Sequence, residues 1–457
     1  MIEKIKRYFL DIATRIPIYR LIPTPKHRDY AAVQYFKRVA PSQIPAYLSE
    51  TGRTPNWRYT AMEVAASAAF NAGDDNAARA IALEAIGSNP EKQAPRLLLS
   101  KLDSFHGDYA AAFGHAQAAW MMNPASLASA LASVRLAYLS QNQEEADRIA
   151  LLALRRFPLR EKMLWAVCKH CRSHEQFTRI HQLWSAKSKK VHQVSEAARP
   201  LGLAAVHLGL YKVAMELYAE ACLIELQGLG IGRKLPLKAL AGKRVLSVLR
   251  DLREVLEADG IPFFFAAGTA LGIVRNGRPL DHDDDIDVGV FEEHWDRDRL
   301  LAAFMRHPHF DLEASSSERP KIRLLHRGGA GIDIFRFYRE GDGVYHDGNF
   351  VRWKNSTFQI EAHNAAGGTV YLPTDTDRYL TENYGDWRTP DKGFDAFIDG
   401  PNVEVTIPEY HNIHRMRRAY RFIRAMNMID VYRELMLLKE PLAQSEAGRG
   451  LIREMQL

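Results

Sequence analysis

The chain has 457 residues, of which 47% are hydrophobic and 25% are charged. This composition is typical of folded globular proteins and excludes a fibrous or disordered chain, and at about 100–200 residues per domain the length predicts two or three domains. The net charge of +6 is too mild for a dedicated nucleic-acid binder and suits an anionic substrate or a membrane face.

Residues 1–54 form a separate N-terminal segment in the predicted organisation. Its first 23 residues are amphipathic and basic, with Ile2 and Phe9 among Lys4, Lys6 and Arg7. Such a segment either lies on an anionic membrane surface or caps the next domain as a helix. It lacks the continuous apolar core of a signal peptide.

Cysteine content and hydropathy indicate the compartment. The three cysteines, Cys168, Cys171 and Cys222, are too few for a disulfide framework, which favours a reducing compartment. We interpret them as core thiols; the alternative is a metal or redox role for the CxxC pair Cys168 and Cys171. The chain has no run of about 18 apolar residues and we expect no membrane span. These observations favour a cytoplasmic protein, either free or peripheral at the inner face of the membrane.

Residues 55–226 repeat with a period of 34 residues, which is typical of stacked helical hairpins. Proline, Gly-Asp and alanine positions recur in phase, at Pro90, Pro124 and Pro158, at Gly73-Asp74 and Gly107-Asp108, and at Ala78, Ala112 and Ala146. The period resembles that of tetratricopeptide repeats and predicts an all-α solenoid. Such arrays bind a protein partner, mediate self-association or act as spacers.

A Gly-rich, basic stretch at residues 227–240 is the predicted linker to a second domain, residues 241–410. There, helical periodicity covers 242–258 and 295–306, and strand-like runs cover 261–267, 286–290, 321–325 and 332–337. Alternation of helices and strands predicts an α/β fold with a mixed sheet. Residues 411–457 form a basic helical tail, which either binds a polyanion or membrane or packs on the domain.

An acidic run precedes the second predicted strand. Asp281, Asp283, Asp284, Asp285 and Asp287 lie within seven positions, where their mutual repulsion calls for a cation. Alternation along a strand places Asp283, Asp285 and Asp287 on one face if the extended conformation reaches back to Asp283. Carboxylate oxygens on one face suit Mg²⁺ or Mn²⁺; the alternatives are a solvated acidic turn and a calcium loop, although the spacing of an EF-hand is absent.

Asp333 and the Gly268-Thr269 pair are further candidates for the same metal and phosphate site. Asp333 interrupts a second apolar strand, between Ile332 and Ile334, and either completes a metal site with Asp285 and Asp287 or faces water. Gly268-Thr269 follows the first predicted strand, where a glycine allows backbone N–H groups to approach a phosphate closely.

These motifs together resemble the LicD family. Gly-Thr-Ala-Leu-Gly-x-x-Arg from Gly268 to Arg275 is followed by the aspartates, by Asp333 and by Tyr-Gly-Asp-Trp from Tyr384 to Trp387. The resemblance covers about residues 245–391 and departs from the family at Asp281-His282, where the family has Pro-Trp. It implies a nucleotidyltransferase-type fold.

The resemblance also implies an enzyme that moves phosphocholine or a phospho-alditol from a CDP-linked donor onto a glycan, free or lipid-linked, in cell-surface polysaccharide synthesis. Metal ions held by Asp283, Asp285, Asp287 and Asp333 would position the diphosphate, and Asp283 or Asp333 would take the acceptor proton. Alternatives are nucleotidyl transfer from a nucleoside triphosphate and a repeat scaffold without activity.

The remaining substrate contacts are expected from cations and aromatic rings near the strands. Arg275, Lys321 and Arg323 either contact phosphate oxygens or form solvated surface. Tyr384 and Trp387 either stack on the cytosine or sugar or belong to the core.

Overall fold

The computed structural model describes residues 55–186, 191–228, 245–281, 283, 285–313, 321–391 and 393–457. The chain divides into two compact units, residues 1–142 and residues 143–457. The predicted N-terminal segment, 1–54, lies outside the described residues, as does most of the predicted linker at 227–240. Both remain predictions.

The described part of the first unit consists of consecutive antiparallel helices. They are α1 (Pro55–Ala72), α2 (Asp75–Ser88), α3 (Ala94–Phe105), α4 (Tyr109–Met122) and α5 (Leu127–Ser140). The 34-residue step is built into their turns: Gly73 and Gly107 adopt φ values of +84° and +75°, which only glycine adopts without strain. Each is followed by an aspartate that caps the next helix, Asp74 accepting from Ala77 N–H and Asp108 from Ala111 N–H, both at 3.0 Å.

The second unit begins with five more helices in its described residues. They are α6 (Gln143–Arg156), α7 (Glu161–Cys168), α8 (His174–Ser185), α9 (Val191–His207) and α10 (Tyr211–Leu226). The in-phase alanines Ala146 and Ala214 are fully buried, as Ala78 and Ala112 are in the first unit, because a methyl group at this position lets neighbouring helices approach closely. The all-α half of the predicted fold is confirmed, and its assignment to the tetratricopeptide type stays a prediction. The three cysteines are free and buried.

A mixed sheet with flanking helices follows, as predicted. Its first half contains α11 (Val245–Ala258), β1 (Phe264–Phe265), α12 (Ala267–Asn276), β2 (Asp285–Phe291), α13 (Arg297–Met305), β3 (Phe310–Leu312), β4 (Lys321–His326) and β5 (Gly331–Glu340). Its second half contains β6 (Gly343–Asp347), β7 (Val351–Ser356), β8 (Ile360–Ala365), β9 (Gly368–Pro373), α14 (Thr376–Tyr384) and β10 (Val403–Val405).

The sheet order is β1-β2-β5-β6-β7-β10, with β4 pairing the first half of β5 and β3 pairing β4. The β2–β5 pair is parallel, and the other pairs of this sheet are antiparallel. Strands β8 and β9 form a separate hairpin. An aromatic core fixes the sheet, with the Phe264 ring 4.9 Å from that of Phe337 and 5.2 Å from that of Phe358, centroid to centroid.

One predicted strand is wrong in its extent. Of the run 261–267 only Phe264 and Phe265 form a strand, because the chain turns at Ala267, which has φ of +43°, and enters helix α12. Gly268 and Thr269 therefore lie in the first turn of a helix and not in a loop after a strand.

The C-terminal helices are α15 (Pro408–Arg424), α16 (Met428–Leu437), α17 (Lys439–Ala443) and α18 (Glu446–Met455). The arginines of α15 are largely used in ion pairs within the second unit: Arg415 with Glu434 at 2.9 Å, Arg418 with Asp399 at 2.7 Å and Arg421 with Asp395 at 2.6 Å. None of the helices in the described ranges combines the length and apolar content needed to cross a membrane.

Candidate active site

The parallel pairing of β2 and β5 brings the two predicted acidic strands together. Asp287 lies directly opposite Asp333 in the register, and Asp285 lies opposite Gly331. Paired residues of parallel strands point to the same face, so Asp285, Asp287 and Asp333 share one face of the sheet. Ile286 and Val288, between and after these aspartates, are fully buried.

Asp283 joins this group from outside the strand. Strand β2 begins at Asp285, so strand alternation does not place Asp283. Its position instead follows from Gly268: a Cβ atom added to this glycine would lie 2.5 Å from Asp283 Oδ2 and 3.5 Å from Asp287 Oδ2. The missing side chain of Gly268 therefore makes room for two carboxylates at the N-terminus of α12.

Hydrogen bonds fix that helix end against β2. Thr269, which is fully buried, accepts a hydrogen bond at its Oγ1 from the backbone N–H of Asp287, at 2.8 Å. The N–H of Ala266 donates to the Asp287 carbonyl at 3.1 Å, and the N–H of Ala267 donates to the Tyr379 hydroxyl at 3.2 Å. Thr269 thus holds the strand that carries the aspartates, and its predicted contact with substrate stays a prediction.

Two cations from β4 face the carboxylates. Lys321 Nζ pairs with Asp333 Oδ2. Arg323 lies opposite Asp333 in the β4–β5 register, with its Nε 3.3 Å from Asp333 Oδ1 and its Nη2 3.6 Å from Asp285 Oδ2. Glu313 Oε2 lies 2.9 Å from Arg323 Nε, so the guanidinium of Arg323 is also paired with a carboxylate outside the aspartate group. Sequence reasoning missed Glu313, because only the β3–β4 pairing brings it here.

The electrostatics of the site call for another cation. The four aspartates carry more negative charge than Lys321 and Arg323 balance. Burial, and then the charges of Asp285, Asp283 and Asp333, raise the pKa of Asp287 well above its usual range, and Lys321 offsets this only in part. Asp333 is 2% exposed, and within the described residues its Oδ1 accepts no hydrogen bond. Arg323 lies 3.3 Å from this oxygen without hydrogen-bonding it. A buried carboxylate oxygen that accepts no hydrogen bond, among three more carboxylates, fits a hard divalent cation.

The structure places Arg275 and Trp387 in contact with each other. Arg275 Nη1 donates to the Trp387 carbonyl at 3.3 Å. The Trp387 indole N–H donates to Asp377 Oδ1 at 3.2 Å, and the residue is 8% exposed. These contacts favour the core alternative for Trp387 and a positioning role for Arg275 over direct contact with the substrate.

Tyr384 lies closer to the carboxylates. It is half-buried, and its ring centroid is 5.3 Å from that of Phe394. Burial, followed by the nearby charge of Asp287, raises the pKa of its hydroxyl well above the usual value, so the hydroxyl stays protonated. Its predicted stacking on a base or sugar stays a prediction.

A second cluster of candidate metal ligands consists of Asp251, His309 and His326. Asp251 Oδ2 lies 2.7 Å from His309 Nδ1 and 3.0 Å from His326 Nε2. The backbone N–H of Gly328 donates to His326 Nδ1 at 2.8 Å, so in the neutral ring the proton sits on Nε2 and points at Asp251. This arrangement describes a hydrogen-bonded network better than a metal site. Its sequence signal is an aspartate on the apolar face of α11, three residues after Val248 and four before Val255.

Comparison with known proteins agrees with this geometry. Residues 260–365 match the family model described as LicD/FKTN/FKRP, nucleotidyltransferase domain. Over 174 residues the chain is 26% identical to the ribitol-5-phosphate transferase FKTN of Mus musculus and 25% identical to that of Homo sapiens, covering 35% of this chain and 37% of each relative. It is also 25% identical over 162 residues to a protein of Rickettsia typhi, covering 32% of this chain and 48% of that protein.

The fold and the paired acidic strands agree with the family match: residues 260–365 of the mixed-sheet domain are similar to nucleotidyltransferase domains. More particularly, they are similar to those of the LicD type, as the resemblance predicted. The chain spans between about a third and a half of the length of these relatives, and the helical hairpins lie outside the family match.

Proposed function

We propose that this protein transfers a phospho-alditol or phosphocholine group from a CDP-linked donor to a glycan acceptor in cell-surface polysaccharide synthesis, using Mg²⁺ or Mn²⁺. The single observation that carries the proposal is the side-by-side placement of Asp287 and Asp333 on parallel strands. The printed name of the mouse and human relatives, ribitol-5-phosphate transferase, favours a phospho-alditol over phosphocholine.

The four aspartates would hold the metal. Asp285, Asp287 and Asp333 share one sheet face, and Asp283 closes the group beside Gly268. When bound, a divalent ion neutralises charge on the donor diphosphate and supplies Lewis-acid polarisation of its oxygens. Lys321 and Arg323 are paired with the aspartates in this structure and would add positive charge where the donor phosphates bind.

The reaction is a displacement at the phosphorus that bears the transferred group. The acceptor hydroxyl oxygen forms a new bond to that phosphorus, the bond to the bridging oxygen of the diphosphate breaks, and CMP leaves with that oxygen. The acceptor proton passes to a carboxylate. Of the two candidates, Asp283 is half-exposed whereas Asp333 is buried against Lys321, so we assign the proton to Asp283.

A donor panel tests this function. The protein is incubated with CDP-ribitol, CDP-glycerol, CDP-choline and nucleoside triphosphates, with candidate glycans and with Mg²⁺ or Mn²⁺, and released CMP and pyrophosphate are measured. We expect metal-dependent CMP release with a CDP-alditol. Pyrophosphate release would instead indicate nucleotidyl transfer, and no turnover with any donor would favour the inactive scaffold.

Matched variants separate the site from the fold. Asp287→Asn and Asp333→Asn should each lower turnover by about 100-fold or more, because each removes a metal ligand. The control is Asp281→Asn, which alters an exposed aspartate paired with Arg278 at 2.6 Å and should leave turnover unchanged. Full turnover by the double variant Asp285→Ala, Asp287→Ala would contradict the proposal.

A further inference from the structure

One turn of the helical hairpins carries a cation to the acidic site. It is the Cys-Lys-His-Cys stretch at the end of α7, which lies outside the family match. Cys168, His170 and Cys171 are buried, and the N–H of Lys169 donates to the Trp165 carbonyl at 3.3 Å. The buried neighbours therefore fix the turn, and the side chain of Lys169, which is 19% exposed, extends from it towards the mixed sheet.

The two thiols of this motif belong to the core. Burial raises the pKa of the Cys168 thiol well above its usual range and that of the Cys171 thiol to about 11, so both stay protonated at neutral pH. Metal binding and redox attack need the thiolate. The cysteines therefore pack the turn, and the charge that the motif offers to its surroundings is that of Lys169.

Lys169 begins a series of ion pairs that ends at the aspartates. Its Nζ lies 3.4 Å from Glu313 Oε1. Glu313 Oε2 lies 2.9 Å from Arg323 Nε, and the N–H of Glu313 donates to the Arg323 carbonyl at 3.1 Å, so backbone and side chain both hold this pair. The same Nε lies 3.3 Å from Asp333 Oδ1, and Arg323 Nη2 lies 3.6 Å from Asp285 Oδ2. We call Lys169, Glu313 and Arg323 the ion-pair series.

The position of Arg323 is a balance between Glu313 on one side and the two aspartates on the other. The side chains of the ion-pair series are 19–25% exposed, so water and salt screen their charges only in part. A stronger attraction to Glu313 moves the guanidinium away from the aspartates, and a weaker one lets it close on Asp333 Oδ1. That oxygen accepts no hydrogen bond within the described residues and is the one that a divalent cation would take.

We propose that Lys169 and Glu313 are positioning residues that act on the active site through Arg323. Glu313 keeps the guanidinium from closing on Asp333 Oδ1, which leaves this oxygen for the metal. Lys169 offsets part of the Glu313 charge, so the guanidinium stays near the aspartates, where the donor phosphates would bind. These roles rest on the proposed function, because it assigns the metal and the donor to this site. They make the helical hairpins part of the active site, through a residue outside the family match.

Mn²⁺ titration of the full chain, followed by electron paramagnetic resonance, tests both residues without turnover. Glu313→Gln should weaken Mn²⁺ binding by about threefold or more, because the guanidinium then competes for Asp333 Oδ1. Lys169→Met should tighten Mn²⁺ binding by about twofold or more, because Glu313 then draws the guanidinium away. Lys169→Arg keeps the charge and should match the wild type. The double variant should match Glu313→Gln alone, since Lys169 acts through Glu313.

Donor kinetics give a second measurement. At saturating Mn²⁺, Lys169→Met should raise the KM for a CDP-alditol by about threefold or more with kcat near that of the wild type, because the donor phosphates lose part of one cation. A purely structural role would instead lower the melting temperature, which we expect to stay nearly unchanged.

The matched control is Lys162→Met, which removes the same charge from an exposed side chain of α7 and should change neither Mn²⁺ affinity nor KM. Unchanged Mn²⁺ affinity in Lys169→Met, an equal change in Lys162→Met, or the same effect of Lys169→Met with and without Glu313→Gln would overturn the proposal. A wild type that binds Mn²⁺ but releases no CMP from any donor, with the expected affinities in the variants, would contradict the proposed function and still support the positioning of Arg323.

Discussion

At the residue scale, the site depends on a glycine, Gly268, where any larger residue would displace the carboxylates. Gly268 lies in the first turn of α12, and the space where its Cβ would sit is bordered by Asp283 Oδ2 and Asp287 Oδ2. No left-handed backbone conformation is recorded for this glycine, so its role is close approach and not turn geometry. The carboxylates of Asp283 and Asp287 approach the N-terminus of α12 because Gly268 has no side chain to keep them away.

We expect Gly268→Ala to disable the site while the fold persists. The added methyl would press on the movable Asp283 carboxylate at 2.5 Å and displace it, and a displacement of about 1 Å at a catalytic group costs roughly 100-fold in rate. Turnover and Mn²⁺ affinity should fall together, with the melting temperature nearly unchanged. Gly272→Ala is the contrasting variant. Its Cβ would lie 2.6 Å from a backbone atom of Leu280 and 2.8 Å from one of Pro279, so this substitution should destabilise the domain.

The sequence predicts the acidic and basic residues of this site but not how they pair. Alternation along one strand was enough to place Asp285 and Asp287 on the same face, because the side-chain period of a strand is fixed. That Asp333 joins them depends on the parallel β2–β5 register. The opposition of Arg323 to Asp333 depends on the β4–β5 register, and the approach of Glu313 depends on the β3–β4 pairing. Registers are long-range properties that no local pattern encodes.

At the element scale, Asp251 links three segments of the domain. It projects from α11 and bonds His309, just before β3, and His326, at the end of β4. Arg250 also donates to its Oδ1, at 2.9 Å. Burial opposes ionisation of Asp251, but hydrogen bonds from His309, His326 and Arg250 outweigh it and hold its pKa well below the usual range.

Replacing this carboxylate should destabilise the fold and change its response to acid. Asp251→Asn leaves the buried His326 and the half-buried His309 poorly paired, and it should cost about 2–4 kcal/mol in the free energy of unfolding by urea. Because the folded pKa of Asp251 is depressed, its contribution is complete above roughly pH 4 and is lost as the pH falls towards the folded pKa. The difference between wild type and variant should therefore shrink in acid.

The control for this experiment lies on the same helix. Glu254→Gln changes a side chain that is 54% exposed and 3.7 Å from Arg250, and it should change stability by less than about 0.5 kcal/mol. A similar loss for both variants, or a difference that grows as the pH falls, would contradict the assignment of the network to Asp251.

The helical hairpins offer a separate test at this scale. Gly107 forms a turn at φ of +75°, whereas Gly114 lies within α4 with open space around its Cβ position. Gly107→Ala should cost about 1–2 kcal/mol through backbone strain, and Gly114→Ala should stabilise by about 0.5–1 kcal/mol. Thermal unfolding of the two variants should shift in opposite directions; a shift in the same direction would contradict the 34-residue turn interpretation.

Whether a segment forms a helix or a strand was predictable from the sequence where its periodicity is strong, but the residues at which each element ends were not. The helical hairpins follow from glycine, proline and alanine positions that act locally. The run 261–267 has the composition of a strand, yet it pairs with β2 only at Phe264 and Phe265. Its end is set by the turn into α12, where Ala267 N–H meets the Tyr379 hydroxyl, more than 100 residues away.

At the scale of the whole molecule, the compact division lies within the helical hairpins and not at their end. Helices α6–α10 belong to the second unit with the mixed sheet. Tyr420 of α15 is fully buried, and its hydroxyl donates to Ser195 Oγ of α9 at 3.2 Å. Arg424 lies 3.9 Å from Glu225 of α10, and the N–H of Ala447 in α18 donates to Glu216 Oε1 at 2.9 Å. The C-terminal helices therefore rest on the hairpins.

Truncation tests whether the mixed-sheet domain folds stably without helices α6–α10. A fragment of residues 241–457 begins at the predicted catalytic domain, and a fragment of residues 143–457 keeps α6–α10. We expect the longer fragment to unfold cooperatively near the temperature of the full chain. The shorter one should unfold many degrees lower or aggregate, because it exposes the Tyr420 surface and leaves the buried Arg424 without its partner Glu225.

Calorimetry of both fragments, with Mn²⁺ binding as a check of the acidic site, measures the outcome. Tyr420→Phe in the full chain is the mild counterpart: it removes one hydroxyl and should cost about 1 kcal/mol. If the 241–457 fragment melts as high as the 143–457 fragment and binds the metal equally well, the hairpins are a dispensable attachment. If it does not, the hairpins from α6 onward are part of the structure that keeps the acidic strands in register.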